Sequence, residues 1–133
     1  MIKQGFTIGD DAWYCTVWYD IRTVSDLGKI YSALIKAGCP DYRAREACMV
    51  LSQWNKGYTF TDYDNGHTLT FIGKATSLDE AYDTIAHERK HIVEHISSAY
   101  GVDPKSENAA YLQGEVGRQM FPAIALLVCP MCH

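Results

Sequence analysis

The sequence predicts one α+β domain, a small antiparallel sheet packed with about four helices. Two segments, "FTIGDDAWYCTVWYDI" and "YTFTDYDNGHTLTFIG", are rich in β-branched and aromatic residues on either side of turn residues, the mark of paired strands. The stretches between and after them carry helical spacing and helix-end signals instead. A chain of 133 residues makes one domain, 1–133, long enough to bury a core.

Each element follows in order. Gly9-Asp10-Asp11 is the turn between the first two strands, and the aromatic run "WYCTVWY" reads as a core strand. Apolar residues at Leu27, Ile30, Tyr31, Leu34 and Ile35 form a helical stripe that Gly38 closes. Asp41 is the expected N-cap of a second helix, "YRAREACMVLSQWNKG", stopped by Gly57. Alternation on both sides of Asn65-Gly66 then signals a hairpin. Ser77, three residues before Glu80, makes a capping box for a long helix that ends at Gly101. Its apolar positions are 78, 81, 82, 85, 92, 93 and 96. A last helix is expected from about Asp103, with Pro104 in its first turn, to about Met120, where Pro122 interrupts it.

The totals exclude several classes. A net charge of −4 leaves no basic footprint for nucleic acid and no polybasic patch for a membrane surface. The opening residues lack the apolar run of a signal peptide, and the longest apolar piece, Ala123 to Cys129, is far too short to span a bilayer. Five cysteines is an odd number without ladder spacing, so a cytoplasmic protein with reduced thiols is expected, with Cys15, Cys39 and Cys48 in the core. The terminal "CPMCH" matches the haem-attachment pattern. Attachment needs export, so Cys129, Cys132 and His133 are read as a reduced tail.

The chemistry lies in "TIAHERKHIVEH", Thr84 to His95. Histidines four apart on a helix share a face at about 6 Å and can grip one ion. Glu88, turned about 100° from His87, stands beside such an ion rather than on it, which suits a base for a metal-bound water. "HERKH" is therefore H-E-x-x-H with a role for each fixed letter. His95 lies about 12 Å along the axis from His87, too far to bind the same ion, and is read as a surface or supporting residue. His67, in the hairpin turn, is expected to face solvent. The third ligand is sought in "SENAAYLQGE", where Glu107 is favoured because a turn can bring it back and Ala109 and Ala110 permit close helix approach. Glu115 remains the alternative.

"TIAHERKHIVEHI" followed by "SENAAYLQGE" resembles the zincin metallopeptidases of the gluzincin type, and more closely the compact zincin-like proteins of gut bacteria and their phages. The resemblance covers Tyr58 to about Met120. It implies a zincin fold with His87, His91 and Glu107 holding zinc and Glu88 as catalytic base. Tyr111 stands where larger gluzincins carry an aspartate four residues after the ligand glutamate. The expected activity is zinc-dependent hydrolysis of a peptide or protein, the substrate strand pairing along "HTLTFIGKATS". Tyr111 and His95 are the candidates for steadying an oxyanion, though a structural role for each is the stronger expectation. The alternative expectation is an inactive metal-binding regulator or interaction module with the same fold.

Overall fold

The computed structural model describes residues 1–9 and 12–128. The Cys129–His133 tail therefore lies outside the described residues, as do Asp10 and Asp11 of the first turn. The elements run β1 (Ile2–Ile8), β2 (Trp13–Ile21), α1 (Val24–Lys36), α2 (Asp41–Leu51), β3 (Gly57–Asp62), β4 (His67–Gly73), α3 (Leu78–Tyr100) and α4 (Glu107–Val128). This is an α+β chain with a four-stranded sheet and four helices.

The sheet order is β1-β2-β4-β3. The two hairpins are antiparallel, as expected, but β2 and β4 run parallel at the centre, so the sheet is mixed. The reason is connection length: short turns force antiparallel pairing, whereas β2 reaches β3 and β4 only after α1 and α2. β4 is consequently interior, and the second hairpin strand offers no free edge. The edge on that side is β3.

Helices cover both faces. Under α1 and α2 lie Trp18, Ile21, Phe60, Leu69 and Phe71; under α3 and α4 lie Phe6, Trp13, Cys15, Val17, Tyr19 and Ile72. Strict alternation along β2 would put Ile21 on the same face as Tyr19. A register shift between them, with Asp20 at φ 63°, turns Ile21 to the other face. α3 packs over β3 and β4, while α4 packs beside it against β1 and β2. Cys15 and Cys39 are buried and Cys48 half-buried, all as free thiols.

Several boundaries differ from the sequence expectation. α2 ends at Leu51, and Gly57 opens β3 rather than stopping a helix. Asp41 is the first residue of α2, not its cap. Its carboxylate takes Tyr31 and Arg45, and Pro40 holds the cap position without a side-chain bond. Ser77 does cap α3, accepting from the Glu80 N–H, and Gly101 ends it at φ 68°. Leu78 and Tyr82, placed on its apolar face by spacing, are exposed. α4 starts after a turn in which the Ser106 hydroxyl accepts from the Ala109 N–H. It runs through Pro122 to Val128, because Pro122 is solvent-exposed and water can take the carbonyl that its missing N–H leaves free.

Candidate metal centre

Glu88 and His95 point down from α3 onto β3. Residues 59, 61, 68 and 70 are all threonine, and strand alternation places them on the face beneath α3. Thr59 pairs with Thr70 at 3.1 Å and Thr61 with Thr68 at 2.9 Å across the hairpin. The Thr59 hydroxyl donates to Glu88 Oε1 at 3.3 Å, and Thr61 Oγ1 hydrogen-bonds His95 Nδ1 at 2.8 Å. Trp13 Nε1 donates to Thr68 at 2.9 Å, so the indole, two threonines and His95 form one continuous chain of hydrogen bonds.

Glu88 is only 2% exposed. It fits because Gly57 lies against it: a β-carbon there would stand 2.5 Å from Glu88 Cγ and 2.8 Å from Cδ. Burial pushes the Glu88 carboxyl up to about 7, with the Thr59 bond pulling the other way. A cation beside it would favour the carboxylate and lower it again.

His87 and His91 sit one turn apart at the solvent edge of this patch. Their Nε2 atoms face each other at 3.1 Å, and ligand atoms of His87, Glu88 and His91 all lie within 4.8 Å of one another. Two nitrogens on a tetrahedral zinc, each at about 2.0–2.1 Å, are about 3.3 Å apart, so the pair is spaced for one ion. The donor set of two imidazoles with a neighbouring carboxylate could hold a metal ion. On the far side of the His91 ring, Nδ1 lies 3.6 Å from Glu94 Oε2. A carboxylate behind a ligating imidazole fixes its tautomer and orientation.

Glu107 is not part of this group. Successive helical residues turn by about 100°, so His87 and Arg89 flank Glu88 on opposite sides. Arg89 faces α4, its guanidinium 2.8 Å from where a β-carbon on Gly117 would lie; His87 therefore faces away from that helix. α3 also continues nine residues past His91, about 13 Å of rise, before the chain turns back to Glu107. Ala109 is buried as expected for close approach, whereas Ala110 is exposed. Tyr111 is 71% exposed on α4.

His67 does not face solvent. It opens β4, half-buried on the face opposite α3, with Nε2 2.8 Å from Thr16 Oγ1 and its ring against Tyr14. Burial lowers its pKa, as it does that of His95, where the neighbouring His91 adds to the effect.

Gly57, the threonines and Glu94 are the site residues that motif reading passed over. The four threonines were visible as alternation about Asn65-Gly66, and Glu94 as the residue three after His91. Gly57 left no local signal, because its partner is thirty-one positions away.

No family model, curated protein or solved structure matches the chain. The likeness to zincins thus rests on a long helix carrying H-E-x-x-H, with a triad that could hold a metal ion.

Proposed function

We propose that this chain is a zinc-dependent peptide hydrolase in which His87 and His91 hold the ion and Glu88 is the proton carrier. The observation that carries the reading is the pairing of two mutually facing imidazole nitrogens with a buried carboxylate within 4.8 Å of both. Bound zinc would supply a Lewis acid that polarises the scissile carbonyl and acidifies water. Thr59 occupies one Glu88 oxygen, leaving the other to take a proton from the attacking water and deliver it to the leaving amine nitrogen. With an ion beside it the carboxylate form of Glu88 is favoured, the form that can accept a proton. The substrate class, an extended peptide, is supported by β3, an open edge strand beside the site.

The position of Glu107 favours a second reading, a metal-binding module without turnover. If Glu88 itself is the third ligand, no base remains. Glu107 completes the hydrolytic set only if the first turn of α4 approaches the pair. Zinc titration and peptide hydrolysis of Glu88→Gln and Glu107→Ala separate the two readings. The hydrolase reading expects Glu88→Gln to keep zinc while losing at least about a hundredfold in turnover, and Glu107→Ala to weaken zinc about tenfold or more. Loss of zinc in Glu88→Gln, with Glu107→Ala unaffected and no turnover in the parent, establishes the second. Full zinc content in both His87→Ala and His91→Ala removes the site altogether.

A further inference from the structure

We propose a second binding site, for a small phosphate-bearing ligand, in the crevice at the carboxyl ends of β2 and β4. The topology makes this crevice. β2 and β4 are adjacent and parallel, but the chain leaves β2 for α1 on one face and β4 for α3 on the other. Where connections from neighbouring parallel strands diverge to opposite faces, the loops that follow the strand ends separate and leave an opening beyond them.

Both strands are followed at once by a cation, Arg22 after β2 and Lys74 after β4. The Lys74 N–H donates to the Ile21 carbonyl at 2.9 Å, which ties the two ends together. Two cavities of about 230 and 170 Å³ flank this junction, and Arg22 and Lys74 line both. They are the only residues shared between the two linings, so one pair of cations commands both openings.

Two cations and two carboxylates, Asp20 and Asp26, meet at this junction. Asp20, held at φ 63° in the bulge, pairs with Arg22 and orients the guanidinium, which has further N–H donors beyond that bond. Lys74 has no ion pair among the described residues; its ammonium lies 4.6 Å over the ring of Trp54. At the start of α1, Asp26 accepts from the Arg22 and Thr23 N–H groups, which occupies those two donors and sets a carboxylate beside Arg22. Recognition therefore falls to the two side chains, which suit a phosphate group held by a guanidinium and a point charge.

Trp54 extends the prediction from an ion to a molecule. It is 59% exposed and borders the smaller cavity, whose wall is apolar through Val24, Leu27 and Leu51. A ligand with a flat ring beside its phosphate would stack on the indole face that the Lys74 ammonium does not cover, with its anion at Arg22 and Lys74. The site is separate from the histidine pair and does not depend on metal or turnover.

The test is titration of the 133-residue chain with inorganic phosphate and with adenosine monophosphate, read by amide chemical shifts. Both probes are expected to give saturable shifts centred on residues 20–23, 54 and 73–75. Arg22→Gln and Lys74→Gln should each weaken both probes by at least about tenfold. Lys29→Gln, on the outer surface of α1, should change neither. Trp54→Ala should weaken the nucleotide more than phosphate; equal loss would show a bare oxyanion site and overturn the ring component. Absence of saturable shifts at millimolar probe, or unchanged affinity in the Arg22→Gln/Lys74→Gln double variant with native shifts elsewhere, would overturn the site itself.

Discussion

The two faces of the β3–β4 hairpin are made from alternate residues of the same strands, yet have opposite characters. Toward α1 and α2 they present Phe60, Leu69 and Phe71, which pack with Trp18 and the helices into a dry core. Toward α3 they present Gly57 and four threonines, which hold Glu88 and His95 by hydrogen bonds. A β-sheet allows this because neighbouring side chains point to opposite faces. One face can supply burial energy while the other is shaped around a buried acid that an apolar surface would leave unsatisfied. Stability and site geometry are thus separable by substitution within one hairpin.

The largest effect should come from the apolar face. Phe71 is fully buried and stacks on Trp18 with ring centroids 4.8 Å apart. Phe71→Ala should lose about 3–5 kcal/mol of stability in denaturant titration. Zinc affinity of the remaining folded protein should stay near the parent value. A parallel collapse of affinity would show that the faces are coupled.

The polar face should reveal itself through pH. In the metal-free protein, Glu88 has its carboxyl raised from 4.5 to about 7 by burial. Between those values the folded chain binds more protons than the unfolded one, so stability falls as pH rises through that window. The fall amounts to up to about 3 kcal/mol. Glu88→Gln should flatten this slope in equilibrium unfolding measured across the window. Persistence of the full slope in the variant would assign it to another group.

Gly57→Ala tests the same face sterically. The added carbon meets Glu88 Cγ at 2.5 Å, so the acid must move or the strand must shift. A stability loss of about 1–3 kcal/mol is expected, together with loss of the pH slope. If a crystal structure of the variant keeps Glu88 in place, the close fit is not what positions it.

The smallest effect belongs to Glu94, behind His91. Glu94→Gln should weaken zinc by about tenfold in competition titrations while leaving stability within about half a kcal/mol, since the pair is half-exposed and 3.6 Å apart. No change in affinity would leave Glu94 as a partner of Lys90 alone, 3.9 Å away.

What the sequence by itself determined was local. The hairpin about Asn65-Gly66, the stripe of α1, the Ser77 cap and Gly101 stop of α3, and H-E-x-x-H on that helix all follow from interactions within a few residues. The single-turn spacing that makes His87 and His91 a pair is helix geometry and needs nothing else. The tertiary structure decided what depends on distant segments. It made the central strand pair parallel and put β3, not β4, at the edge, because strand order records how the long α1–α2 connection crosses the sheet. It turned Gly57 from an expected helix stop into the floor beneath Glu88, a contact spanning thirty-one residues. It packed α4 along α3 with Gly117 against the Arg89 guanidinium, since helix packing follows which surfaces fit together rather than any local signal in the chain. Finally, it set Arg22 and Lys74 side by side, fifty-two residues apart in the chain, because two parallel strands end together there.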